Sequence, residues 1–491
     1  MKELRFTVLM LIFLLAGCRG KNEVRQVDSY PPIVPDYTDI SIPCNIAPLN
    51  FKITDSCDRA EAIVTGRNGR IKVNGKKKLT FPLKRFHQLL EKHQGDTLSV
   101  SVRVRKDKYW TRYKPFYWVV TAETVDPYLS YRLIEPGYEV YRKLSVRQRG
   151  LTNFKEKVLA DNNLTDGACI NCHITNKHQP GQSFFHIRHQ HGGTIIARGN
   201  ALRKIDTKTK QTLSAGVYGN WHPSGRFIVF SANVVIPAFH SVSNKRMEVY
   251  DTTSDLIVLD VEKNEVFSDP RIARRGKLES FPEFSADGRT LFFCVADSVL
   301  LPDQYRQLRY SLCSIGFDAE NRTFTGKADT LFSAHAENKT VSMPRASPDG
   351  KYLMFTVFDY GTFPIWHNEA MLYLLNLKTG KISKMPVVNA EKYSNSYHSW
   401  SANSRWFVFA SKRDNGMYGK PYFSYIRPDG QETKPFVLPQ KDPEFYNYSY
   451  QSFNIPELSE NCTAFDALDV EALFQQTKAE KVTFVETGRY N

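Results

Sequence analysis

The chain has 491 residues, enough for two or three domains, and a formal net charge of +15 from 66 Lys and Arg against 51 Asp and Glu. The basic excess is concentrated in residues 1–168, where it could favour anionic lipid or acidic polymers. No nucleic-acid-binding motif accompanies it, so nucleic acid is not an expected partner.

Residues 1–18 read as an export signal. Lys2 and Arg5 precede a short apolar run, Val8 to Ala16, and Leu15-Ala16-Gly17-Cys18 closes it as a lipobox. Cys18 is therefore the expected lipidated residue, a tether to the membrane. No other stretch is long and apolar enough to span a bilayer. Residues 19–37 follow as a polar, Pro-containing tether.

Residues 38–125 predict a small β-sandwich-like domain. Asn74-Gly75 is a strong hairpin signal. Leu83 to Lys92 predicts a short helix with Leu89 and Leu90 inward. Thr97 to Val104 alternates, with Leu98, Val100, Val102 and Val104 on one face. An exported chain can form disulfides, and Cys44 with Cys57 or Cys294 with Cys313 are candidate pairs.

Residues 126–194 predict a linker with a helix starting at Thr152 and ending near Asp161-Asn162-Asn163. The linker carries Cys169-Ile170-Asn171-Cys172-His173. Two thiols on one turn can add to the vinyl groups of a haem, and the following imidazole can reach its iron. A disulfide or a metal pair is the plainer reading of the same cysteines. His173 is the expected proximal ligand and His186 the expected distal one, with His191, His222 or an open site as alternatives. Arg188, on the same strand face as His186, is expected to pair with a haem propionate.

From residue 195 to 491 one pattern recurs: a turn, a basic residue, then an apolar strand. Examples are Pro223-Ser224-Gly225-Arg226, Ala286-Asp287-Gly288-Arg289, Pro348-Asp349-Gly350-Lys351 and Ala402-Asn403-Ser404-Arg405. Repeats of this length with several strands each predict an all-β propeller of five or six blades, closed jointly by its two ends.

These four turns resemble the repeats of TolB-type propellers. Residues 28–491 resemble the TolB-like, haem-motif lipoproteins of Bacteroidetes, labelled cytochrome c biosynthesis or translocation proteins. The matching stretches include Asp126-Pro127-Tyr128-Leu129, Cys169 to His173, Phe185-His186-Ile187-Arg188, Trp221-His222-Pro223 and Leu438-Pro439-Gln440-Lys441-Asp442-Pro443. The resemblance implies export, a propeller and one covalent haem c, without a demonstrated activity. Arg19-Gly20-Lys21-Asn22 lacks the acidic run such bacteria use for surface export, so a periplasm-facing lipid anchor in the cell envelope is expected.

The function expected from this reading is electron transfer or haem-based sensing, coupled to a propeller that binds another envelope protein. The balance of features points away from an enzyme. Two alternatives stand beside it: a non-redox propeller scaffold, and a propeller polysaccharide lyase or hydrolase. The second is motivated by His222, His240, His367 and His398.

Overall fold

The computed structural model describes residues 24–135, 143–242, 245–476 and 478–486. The export signal and Cys18 lie outside them. Among the described residues no helix is long and apolar enough to cross a membrane.

The chain is nearly all β, as expected. Residues 24–121 build a seven-stranded sheet and a three-stranded sheet that share a core with the helix Leu83–Glu91. The helix buries Phe86, Leu89 and Leu90, and the strand Thr97–Lys106 buries the four predicted aliphatic residues. The hairpin signal is displaced. Strands Arg59–Gly66 and Gly69–Gly75 turn at Arg67-Asn68, so Asn74-Gly75 ends a strand instead of making its turn. Cys44, Cys57, Cys294 and Cys313 are all free thiols, so neither candidate disulfide is formed.

Six four-stranded blades follow. The first is split: Tyr128–Ile134, Leu144–Gly150 and Glu156–Asp161 come from one end of the propeller segment, and Ser452–Ser459 returns from the other to pair with Tyr128–Ile134. The linker expected at 126–194 is thus strand, and the ring starts near residue 128. The expected helix after Thr152 is absent. Asn153 Oδ1 accepts from the Lys155 amide in a tight turn, and Glu156–Asp161 then pairs with Leu144–Gly150. Ladder pairing along that strand, with Leu159 and Ala160 buried, outweighs its helical capping signal.

The inner strands of the six blades are Cys169–Asn176, Val217–Trp221, Lys277–Phe284, Thr340–Ala346, Asn395–Trp400 and Ser452–Ser459. Each packs against the next around a closed ring. After the last blade strand, the helix Ala467–Gln476 leads to two short strands. Glu480–Lys481 pairs with the outer edge of the second blade and Thr483–Phe484 with that of the third.

The N-terminal domain docks on the sixth blade through one continuous apolar core that includes Trp118, Trp406 and Phe436. Asp126 caps the junction, accepting from Ser401 Oγ at 2.8 Å and from the Ala402 amide.

Candidate functional site

Every inner strand carries a bulge at the same place. The pairing register shifts between Asn171 and Ile174, Val217 and Asn220, Ser280 and Glu283, Ser342 and Arg345, and Ser396 and Ser399. The returning strand shifts likewise between Asn454 and Glu457. One residue in each bulge has a left-handed backbone: Cys172 (φ 59°), Tyr218 (49°), Phe281 (50°), Met343 (54°), Tyr397 (50°) and Ile455 (53°). Bulky residues rarely adopt this conformation singly. Its recurrence around the ring makes it a built feature that re-aims the side chains beyond it.

The six bulges separate two cavities on the propeller axis. The residue two positions past each left-handed residue faces a polar funnel of about 400 Å³: Ile174, Asn220, Glu283, Arg345, Ser399 and Glu457. On the other side lies a more apolar cavity of about 250 Å³. A narrow space of about 40 Å³ between them is lined by Cys172, His173 and the other five left-handed residues.

The funnel gathers two buried carboxyl groups in different surroundings. Glu283 is fully engaged: Oε2 accepts from Asn220 Nδ2 and faces Arg345 Nη1 at 3.4 Å, while Oε1 accepts from the Ala346 amide at 3.1 Å. Burial pushes its pKa up to about 7, against the lowering effects of Arg345, the Ala346 amide and Asn220. Glu457 is half engaged. Its Oε1 accepts from the Thr175 amide at 2.8 Å and from Thr175 Oγ1 at 3.0 Å, and its Oε2 is buried without a partner. Burial pushes Glu457 up to about 8, opposed by the Thr175 bonds and Arg345 and reinforced by Glu283.

His398 lines the same funnel and is 4% exposed. Its Nε2 donates to the Met354 carbonyl at 2.9 Å, so Nδ1, buried and unpartnered, is an acceptor. Burial holds its pKa down at about 3, with Met354 opposing and Arg345 assisting. Trp400 forms part of the wall, anchored by Nε1 to the Arg345 carbonyl at 3.0 Å.

The residues singled out from the sequence divide between the two cavities. Cys169, Cys172 and Arg188 converge on the apolar cavity, with Arg132, Tyr218, Met247 and Trp366. His173 lies past the bulge on the funnel side, and neither ring nitrogen makes a well-formed hydrogen bond. Burial and the Arg132 charge hold its pKa down at about 4, with the Ile455 and Ser130 backbones opposing. His186 lines neither cavity. It sits opposite Asn171 on the next strand, buried, with Nδ1 3.2 Å from Thr194 Oγ1. His222 packs among Phe227, Phe284 and Phe317, and its Nε2 donates to the Gly288 carbonyl.

Glu283, Glu457, Arg345 and Asn220 were not singled out from the sequence. A signal for them existed in the repeat Ser280-Phe281-Pro282-Glu283, Ser342-Met343-Pro344-Arg345, Ser396-Tyr397-His398-Ser399 and Asn454-Ile455-Pro456-Glu457. Asn171-Cys172-His173-Ile174 is the same tetrapeptide in the second blade.

No family model matches the chain, and no curated protein matches it. Among solved structures, an oligogalacturonate lyase in complex with manganese is 13% identical, covering 62% of this chain and 73% of that one, with a TM-score of 0.35. The oligogalacturonate lyase of Vibrio parahaemolyticus is 13% identical over 64% of this chain and 75% of its own, with a TM-score of 0.36. A puromycin hydrolase is 10% identical over 64% and 45%, with a TM-score of 0.37.

The expectation of an electron carrier or haem sensor that is not an enzyme is corrected by the axis of this chain, which gathers acid–base groups in one funnel. The motif also lies elsewhere than expected: Cys169 to His173 is not in a linker but on an inner strand of the second blade, while the N-terminal domain docks on the sixth.

Proposed function

We propose that the chain is a saccharide-cleaving enzyme, a polysaccharide lyase or hydrolase, whose reaction takes place in the axial funnel. The observation that carries this reading is the pair Glu283 and Glu457. They occupy equivalent bulge positions, both are buried and raised by burial, and their partners differ: Arg345, Asn220 and the Ala346 amide hold Glu283, while Glu457 Oε2 has none.

Glu457 keeps its proton to about pH 8, and its Oε2 has no other partner, which suits a general acid. Glu283 sits beside the Arg345 cation, which favours its anion and suits a general base. In hydrolysis Glu283 would take a proton from water as that oxygen bonds to the anomeric carbon. Glu457 would protonate the departing glycosidic oxygen. In elimination Glu283 would instead take the C5 proton beside a uronate carboxylate, the C4–C5 double bond would form as the C4–O bond breaks, Glu457 would protonate the departing oxygen, and Arg345 would balance the developing charge. The indole of Trp400 offers a wall for a sugar ring.

The test is a panel of neutral and uronate-containing polysaccharides, followed by new reducing ends and by ultraviolet absorbance of unsaturated products. The expected result is cleavage of at least one class, reduced about a hundredfold or more by Glu283→Gln and by Glu457→Gln. Cleavage of none, or cleavage by either variant at the rate of the parent chain, overturns the reading.

Three further proposals are independent of that chemistry. Cys169 and Cys172 would hold a haem c, and Arg188 would face its propionates; the thiols, the arginine and the apolar lining fit such a group, whereas the positions of His173, on the funnel side, and of His186, in neither cavity, do not. A haem there would bring an iron centre to the apolar cavity. Absorbance of denatured protein made with a haem-maturation system tests covalent attachment. Cys18 would carry lipid and hold the chain to the periplasm-facing side of the envelope, and a propeller face would bind an envelope protein. Mass spectrometry of the membrane-fraction N-terminus and crosslinking in cells test these.

A further inference from the structure

A third space lies away from both axial cavities. It is a groove of about 540 Å³ between the long hairpin of the third blade, Phe227–Val242 with Lys245–Asp260, and the loops 302–306 and 359–369. Neither Glu283, Arg345 nor Glu457 lines it. Its wall is aromatic. Tyr250 and Tyr305 pack with ring centroids 4.4 Å apart, and Tyr360 meets Tyr305 edge-on at 5.8 Å.

Among these rings stand carboxylates that already hold cationic or imidazole partners. His240 Nε2 is 3.1 Å from Glu248 Oε2, His367 Nδ1 is 2.8 Å from Glu369 Oε1, and Lys339 Nζ is 2.5 Å from Asp359 Oδ1. Arg306 lies over the Tyr360 ring at 6.0 Å. Three of the four carboxylates that line the groove are matched in this way, and the fourth, Asp303, and Arg306 stand at exposed positions with opposite charges, so the groove as a whole makes little demand for a charged ligand. The matched pairs leave oriented acceptors and donors beside ring faces. His367 adds a polar atom with nothing to bond: the residue lines the groove, is 3% exposed, and its Nε2 has no partner. A buried polar atom without a partner is costly unless a ligand or water satisfies it.

We infer that this groove is a saccharide-binding subsite for a neutral oligosaccharide, separate from the funnel. Hydroxyls both donate and accept, so they can satisfy His367 and the carboxylates whichever way each proton points. The C–H faces of a pyranose match the tyrosine rings. The inference deepens the saccharide-cleaving reading and rests on it for the ligand class, but not for the site.

The experiment uses the full chain bearing Glu283→Gln and Glu457→Gln, so that bound sugar is not consumed. Neutral gluco- and manno-tetrasaccharides and a uronate tetrasaccharide are titrated by calorimetry and by saturation-transfer NMR. A neutral tetrasaccharide is expected to bind, and Tyr360→Ala or Asp303→Ala, both at solvent-accessible positions, should weaken it about tenfold. Circular dichroism of each variant confirms folding. Binding unchanged in both variants, no binding by any sugar, or binding of the uronate alone overturns the subsite. Cleavage by the unmodified chain is scored separately, so a catalytic failure and a failure of the groove give different results.

Discussion

Glu283 and Arg345 occupy the same repeat position on neighbouring inner strands, and their charged ends lie 3.4 Å apart in the axial funnel. The pair is a product of the ring. Each bulge turns one side chain into the funnel, so residues 62 apart in sequence become side-by-side neighbours. What the arginine does for the glutamate is lower a pKa that burial has raised.

The first prediction concerns that balance. With Glu283 needed as an anion and Glu457 as an acid, the pH–rate profile should be a bell with apparent limbs near 7 and 8 that belong to the coupled pair. In Arg345→Met both limbs should move to higher pH, because the arginine lowers Glu283 and Glu457 alike. The maximal rate should fall about tenfold to a hundredfold. A profile with unmoved limbs would detach Arg345 from the chemistry.

Stability should depend on pH through Glu457. Its folded pKa is about 8 against an ordinary value of 4.5, so the folded chain binds the extra proton. The associated stability is fully present below about pH 4.5 and is lost as pH rises through about 8. Glu457→Gln removes this dependence. Relative to the variant, the parent should therefore lose melting temperature between pH 5 and pH 8.5, which differential scanning calorimetry would register. A constant difference across that range would count against the buried proton.

Phe453 is expected to be a keystone of ring closure. It is 1% exposed on the returning strand and packs against Tyr131, Phe445 and Tyr446. Phe453→Ala should destabilise by about 3–5 kcal/mol, measured by denaturant unfolding. A loss below about 1 kcal/mol would mean that the first blade does not depend on its borrowed strand.

Gly288 should not tolerate a side chain. Its φ is +76°, and an added Cβ would lie 2.3 Å from His222 Nε2. Gly288→Ala should cost about 1–3 kcal/mol from backbone strain and crowding. In a His222→Ala background the crowding part should disappear while the backbone part remains. A double-mutant cycle with no coupling would rule out the contact.

The blades from the third to the sixth were legible because each carries a turn of Gly225, Gly288, Gly350 or Ser404 type, all with positive φ, before an apolar strand. The first two blades lack that turn, and the first is divided between distant segments, so no local pattern announces it. The acidic and basic residues of the funnel were hidden for a different reason. A bulge breaks the two-residue alternation of a strand, so Glu283, Arg345 and Glu457 fall on a face that simple alternation does not assign. Cys172-His173 stood out through its residue types alone. Its place in the ring is shared by Tyr397-His398, which carries no such signature.

The borrowed strand also sets a schedule for synthesis. Tyr128–Ile134 leaves the ribosome long before Ser452–Ser459, its partner edge, has been translated. At roughly 5–20 residues per second the wait is on the order of tens of seconds. During that interval the nascent chain holds an unpaired strand edge and a half-walled axis, the kind of surface that recruits stray strands. Both axial cavities come into being only when the last blade strand docks, so a chain that stalls before residue 452 has neither a funnel nor a closed core.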